Sequence, residues 1–395
     1  PVRKDVREVR EEFPLLKEVV WLASAGVGPM PRAALSAMAA VNSKLYASYD
    51  PKAWSAEDEV RERACTLIAK LLSVSPEEIA LTRSTTEGLN AIACAIPWKR
   101  RDHIVITDQE YPANAVPWYH QAHLHGLEVR VVRSEAGRLP VSRFAEAIDD
   151  RTRVVAISHV QFATGFRADL AALSELAHSY GALLVVDGIQ SVGALAVRPQ
   201  ELGIDALAAG GYKWLCGPLG SGFLYVRKEL CQDLVPVGLG FGEIAPREHE
   251  DIWDALSGGR PWVRDFSELA PGAKRFSGVG LNPAVLEGLS AALEMFLELG
   301  PEWIEARVIA LSGLLIERLK RRGFQVVTPE TEEERAGIVL FRGPWDLSRK
   351  EVREELDRRL EATGIKVSIR AGGVRVACHF FNTEEDLERL LEALP

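Results

Sequence analysis

The chain has 395 residues, 47% of them hydrophobic, and a formal net charge of -9 from 47 basic and 56 acidic side chains. That balance speaks against the basic stripe of a nucleic-acid binder, and the longest apolar runs, such as Ala91 to Trp98, are too short to cross a bilayer. Size predicts two domains, the five cysteines without a C-x-x-C pair predict neither a zinc ribbon nor a disulfide framework, and the charged N-terminal stretch is unlike a signal peptide, so a cytoplasmic protein is expected.

From about residue 78 to 227, apolar β-rich runs alternate with helical patterns. The candidate strands are EIALT (78–82), HIVITD (103–108), EVRVV (128–132), RVVAIS (153–158), ALLVVD (182–187), DALAA (205–209) and GFLYVR (222–227). Between most of them lie amphipathic segments such as DLAALSELAHSY (169–180), with Leu170, Leu173, Leu176 and Ala177 on one side. This alternation predicts an α/β fold with a mostly parallel sheet covered on both faces, and such sheets bind ligands at the carboxyl ends of their strands. The histidines of HQAHLH (His120, His123, His125) fall on a predicted helix at offsets that do not bring all three to one face, so no metal site is expected.

The stretch from roughly 230 to 280 is rich in Gly, Pro and Trp and reads as an irregular connection. Beyond it, helical patterns at 283–299 and 301–322 lead into short strands at 324–327, 337–342, 366–370 and 374–378. Helices at about 347–362 and 384–394 complete a smaller α+β unit, the last one starting at a capping Thr383 with Asp386 three residues on. The charge run Glu330 to Arg335 reads as a solvated loop.

Three signals carry chemistry. RSTTEGLN (83–90) follows a strand directly, and its hydroxyls at a helix start either cap the helix or, with the free amides there, hold a phosphate. Asp187 ends an apolar strand in VVDGIQS (185–191); it is a helix cap, a metal ligand or a buried carboxylate that needs a cation. Lys213 lies between a strand and a glycine-rich loop in GGYKWLCGPLGSGFLYV (210–226), where crowding would lower its pKa and free the amine as a nucleophile. Pyridoxal 5'-phosphate accounts for all three at once, with its phosphate on a helix N-terminus, its ring nitrogen on a carboxylate and its aldehyde on a lysine.

With these motifs the chain resembles the class V aminotransferase group of fold-type-I pyridoxal-phosphate enzymes, which includes cysteine desulfurases, kynureninases and isopenicillin N epimerase-like proteins. The likeness runs from WLASAGVGPMP (21–31) through DQEYPANAVPW (108–118), SHVQFATG (158–165), VDGIQS, GYKWLCGP and KRFSGVGLN (274–282) to VRVACHFFNTEED (374–386). The resemblance implies a large cofactor domain (26–275), a small C-terminal domain (276–395) and an N-terminal segment (1–25) packing with the latter. It also implies that Lys213 is the Schiff-base lysine, Asp187 pairs with the ring nitrogen and Gln190 bonds the ring oxygen. Tyr111 would stack on the ring, Thr85, Thr86 and Tyr212 would hold the phosphate, and Arg375 would grip a substrate carboxylate. A homodimer with a small amino-acid-like substrate is expected.

The departures are specific. Many desulfurases have a serine and a histidine where this chain has Gly210 and Tyr212, and Gly280 stands where a partner subunit often sends a threonine to the phosphate. SIRAGGVR (368–375) lacks the desulfurase cysteine, and Cys378 reads as a packed core thiol. The wording of YKW and HFFN leans toward an aminotransferase or epimerase-like enzyme, with a C–S or C–C lyase as the alternative. A nicotinamide oxidoreductase would need G-x-G-x-x-G after the first strand, which RSTTEGLN lacks. Against a binding protein that merely kept the fold stand the intact Lys213, Asp187 and Arg375.

Overall fold

The computed structural model describes residues 5–47, 57–240, 243–244, 257–259, 268–278 and 280–394. The apolar runs become the strands of a seven-stranded sheet: β2 (Ile79–Thr82), β3 (His103–Thr107), β4 (Glu128–Val132), β5 (Thr152–Ser158), β6 (Leu183–Asp187), β7 (Ala206–Gly210) and β8 (Gly222–Val226), in the order β2-β8-β7-β6-β5-β3-β4. Strands β3 to β7 are mutually parallel, whereas β8 runs antiparallel to β7 and β2. The reversal has a simple cause. The segment 211–221 between β7 and β8 holds no helix, and it is too short for the crossover that a parallel neighbour requires.

Side chains alternate along each central strand and feed two cores. Leu184, Val186 and Leu207 face the helix Leu170–Ser179 through Leu170, Leu173 and Ala177. Val185, Ala208 and Leu224 face the helix Thr85–Ala95 through Leu89 and Ile92. A Cβ at Gly88 would stand 2.9 Å from that of Ala208, so the glycine lets this helix lie close on the sheet above the strand ends.

Strands β9 (Gln325–Val326), β10 (Ile338–Arg342), β12 (Ser368–Arg370) and β13 (Gly373–Ala377) form an antiparallel sheet in the order β12-β13-β10-β9. One face buries Val339, Phe341, Val374 and Val376 under the helices Pro301–Arg321, Lys350–Ala362 and Glu384–Ala393. The other sends Ile338 and Ala377 into the core of the large sheet. Strand β1 (Val20–Trp21) pairs in parallel with β11 (Ile365–Lys366), which ties the N-terminal segment to this smaller unit.

The Thr383 capping box forms as expected, with Asp386 returning the bond. One reading is corrected. In the run Glu330–Arg335 the acids at 330, 332 and 333 are exposed, but Arg335 is buried, donating from Nη1 to the Ile309 carbonyl at 2.6 Å and to Ser312 Oγ at 2.5 Å. With Nε also donating to the Glu330 carbonyl at 3.2 Å and Glu332 standing 3.6 Å from Nη2, protein acceptors surround the guanidinium. The predicted strand KVSIR is divided by Val367 into β11 and β12. Part of the stretch read as irregular at 230–280 (241–242, 245–256, 260–267 and 279) lies outside the described residues, and 3-10 turns form at Lys228–Gln232 and Gly272–Phe276. His120, His123 and His125 are exposed along one helix. Among the described residues no helix is long and apolar enough to cross a membrane.

Candidate active site

The carboxyl ends of β5, β6 and β7 deliver Ser158, Asp187 and Gly210, so the residues just beyond these strands meet at one edge of the sheet. Asp187 is buried, and its Oδ1 accepts the Ile189 amide at 3.0 Å. Burial pushes its carboxyl well above the usual range, against the pull of that amide and of Lys213, and the nearby Glu110 pushes it further. Lys213, on the loop after β7, is 9% exposed. Burial lowers its ammonium, Asp187 raises it again, and Arg375 and Arg370 add to the lowering. The lysine and the acid each act on the other's ionisation, so the two lie near one another.

The lysine loop is clamped on both sides. Gly28 donates its N–H to the Tyr212 carbonyl at 2.9 Å, and a Cβ at Gly28 would stand 2.0 Å from the Lys213 carbonyl oxygen. His379, from the loop after β13, takes the Phe380 amide on Nδ1 and therefore donates from Nε2 to the Trp214 carbonyl at 2.9 Å. Complete burial holds this imidazole neutral, with its pKa lowered to about 3. Trp214 Nε1 in turn donates to Gln190 Oε1 at 2.8 Å.

Around the lysine amine stand two aromatic rings. Nζ lies 5.7 Å from the Tyr111 ring centroid and 5.9 Å from that of Tyr212. Tyr111 meets Phe162 edge-on at 5.2 Å, and the Phe162 carbonyl accepts Arg375 Nη1 at 2.6 Å. Arg375 is 3% exposed, with its guanidinium lowered to about 10 chiefly by burial and then by Arg370, and its Nε is buried without a partner. A donor so placed is ready for a carboxylate.

At the phosphate end, Ser84 caps the helix Thr85–Ala95 by accepting the Glu87 amide at 3.1 Å. Capping therefore needs only Ser84, which leaves the buried Thr85 Oγ1 with no partner. Thr86 is exposed, and its carbonyl accepts Asn90. Gly210 and Tyr212 are in steric contact, since a Cβ at 210 would come within 2.9 Å of Tyr212 Cε1. Gln190 is more committed than its expected role suggests. Its carbonyl serves Trp214 and its amide donates to Ala25 O at 3.0 Å, so a single N–H remains for a ligand. Gly280 has a left-handed backbone (φ 68) and open space around it. Cys378 is fully buried, with its thiol pushed up to about 12.

Sequence reasoning passed over Glu110, His159 and Gln161, although each lies inside a quoted motif. Glu110 accepts from Thr107 Oγ1 (2.9 Å), Asn114 Nδ2 (2.8 Å), Ser158 Oγ (2.6 Å) and Gln161 Nε2 (2.9 Å), which fixes the residue before Tyr111 to the end of β5. His159 is buried and neutral, its pKa lowered to about 3, and its Nδ1 has no partner; nor has Gln161 Oε1. Unsatisfied buried groups are costly and rare in a folded protein. Here Thr85 Oγ1, His159 Nδ1, Gln161 Oε1 and Arg375 Nε belong to the motifs that meet at this edge, so this set of donors and acceptors fits a flat polar molecule with an anionic tail such as pyridoxal 5'-phosphate.

The profile of the family "Aminotransferase class-V" matches residues 20–390. A probable cysteine desulfurase of Aeropyrum pernix is 31% identical over 411 residues, covering 98% of this chain and 96% of that protein. The isopenicillin N epimerase of Streptomyces clavuligerus is 28% identical over 399 residues, covering 99% and 98%. Among solved structures, the apo cysteine desulfurase of Thermococcus onnurineus superimposes with a TM-score of 0.84 at 26% identity, covering 98% of this chain and 96% of its own.

Proposed function

The chain belongs to the class-V aminotransferase family of pyridoxal-phosphate enzymes, and from that premise we propose that it is a lyase that cleaves the Cβ–S bond of a cysteine-derived amino acid and stores no sulfur on itself. One observation carries the second half of this reading. Where SIRAGGVR lies, β12 and β13 are joined by Ala371 and Gly372 alone, a tight turn with φ of 50 and 69 that presents no side chain able to accept sulfur. Cys216, Cys231 and Cys378 are buried with raised pKa, and Cys65 and Cys94 are raised as well, so none has the thiolate character that persulfide chemistry needs. The desulfurase names of several relatives support a sulfur substrate and move the weight away from the amino transfer suggested by YKW and HFFN.

Bound here, the cofactor supplies an electron sink for the bond broken at Cα. Thr85 and the first-turn amides would hold its phosphate, Asp187 its ring nitrogen, Tyr111 one ring face, the free N–H of Gln190 its ring oxygen and Lys213 its aldehyde carbon. Tyr212 would lie beside the phosphate, and Thr86 would offer it a backbone amide. Arg375 would fix the substrate carboxylate with Nε. Lys213, its ammonium disfavoured by burial, would take the Cα proton and deliver it to the leaving sulfur, so that substrate and one water become a thiol, pyruvate and ammonia. The epimerase relative supports a second reading, in which Lys213 returns the proton to Cα.

The holoenzyme is expected to release pyruvate with an equal amount of cysteine persulfide from L-cystine, and with an equal amount of thiol from S-substituted cysteines, measured by mass spectrometry. Racemised substrate without thiol would favour epimerisation, and an amino group passed to a keto acid would favour transamination. We further propose a homodimer. Val116 and Tyr119 on the helix Val116–His125, and Val235 and Val237 on the chain tethered by the Val235 amide to Ala95 O, are exposed apolar side chains of the kind that partners cover. Light scattering that finds monomer alone would remove that proposal.

A further inference from the structure

We propose that Arg370 and Arg375 together form a clamp for two anions, so that the substrate carries a second carboxylate on its side chain. The inference rests on the reading above and deepens it. In the β12–β13 hairpin Ser368 pairs with Arg375 and Arg370 with Gly373. Directly paired residues share a face of an antiparallel sheet, so Arg370 and Arg375 project from the same face as diagonal neighbours, roughly 7–8 Å apart at the backbone. The opposite face buries Val374 and Val376 in the small core. The arginine face is therefore the one turned toward the large sheet, where Arg375 meets the carbonyl of Phe162, whose ring touches Tyr111 beside Lys213.

Two features make this a pair rather than one buried arginine with a surface neighbour. Directly across from Arg370 stands Gly373, where a Cβ would come within 2.6 Å of the Phe341 carbonyl oxygen, so the position opposite is held bare. The turn of two residues fixes the spacing of the strands. Arg370 is exposed, and among the described residues no carboxylate reaches it, yet its charge acts on both Arg375 and Lys213.

The charge balance points the same way. Arg375 and Arg370 bring two permanent cations to one edge, while the oxygens of Glu110 are already occupied by Thr107, Asn114, Ser158 and Gln161. An α-carboxylate answers Arg375 alone. A cysteine derivative whose sulfur substituent ends in a carboxylate answers Arg370 as well, with the scissile bond between the two anchors.

Isothermal titration of the holoenzyme with succinate and with propionate tests the clamp without any reaction. Neither acid has an amine, so the outcome does not depend on turnover. Succinate is expected to bind at least about tenfold more tightly than propionate, as a second charge-assisted pair should give. Arg370→Met is expected to erase that difference by weakening succinate alone, whereas Arg375→Met weakens both acids. Equal affinities in the wild type overturn the proposal, and so does a preference that survives in Arg370→Met. If the preference holds while no cysteine derivative releases thiol, the clamp stands and the lyase reading falls; thiol release without the preference sinks the clamp alone.

Discussion

Lys213 has the burial that its neighbours in the sequence implied, and burial decides its chemistry. An ammonium loses more solvation at 9% exposure than Asp187 returns, and Arg375 and Arg370 oppose it further, so the neutral amine forms at a lower pH than on a surface lysine. Capture of pyridoxal phosphate requires that neutral amine. The rate of capture by apoprotein is therefore expected to rise with pH and to level off below the value of about 10.4 for a free lysine, read from absorbance after mixing. A midpoint at or above that value would refute the depressed amine. The burial of Lys213 and Asp187 was legible because one follows and the other ends an apolar strand within a distinctive motif. The commitment of Gln190 to Trp214 and Ala25 was hidden, since its partners lie 24 and 165 residues away. Glu110 was hidden for the same reason, its donors coming from both β3 and β5.

At the scale of elements, the apolar β-rich runs located every strand of the large sheet to within about two residues, the ordinary uncertainty of such boundaries. Strand direction was another matter. Nothing in the apolar pattern of GFLYVR distinguishes a parallel from an antiparallel neighbour, and the shortness of 211–221 was the only available sign. Arg335 shows the opposite failure, a charge run in which one member turns inward because the carbonyl of Ile309 and the hydroxyl of Ser312 await it. The clamp on the lysine loop also arises between elements. Gly28 sits before the helix Arg32–Asn42 and touches the loop after β7, where even a methyl group would meet the Lys213 carbonyl at 2.0 Å. Gly28→Ala is expected to cost about 1–3 kcal/mol of stability in denaturant unfolding and to weaken cofactor retention on dialysis. An alanine variant as stable as the wild type, with its cofactor intact, would mean that the loop is not held there.

Across the whole molecule, the site is assembled from distant parts of the chain. Gly28 comes from near the N-terminus, the helix Thr85–Ala95 and the ends of β5, β6 and β7 from the large sheet, and Arg375 and His379 from the far end of the chain. The same three regions share one continuous core, in which Phe13 lies 5.2 Å from Phe381 and the small sheet contributes Ile338 and Ala377. Distortion of that shared core would disturb the lysine loop through His379 and Gly28, without touching a ligand. In the proposed function all of it serves to present the Lys213 amine to the cofactor. Borohydride reduction of the holoenzyme, followed by proteolysis and mass spectrometry, tests this most directly. The account requires the pyridoxyl mass on the peptide containing Lys213 and on no other; the same mass on a different lysine, or on none, would contradict it.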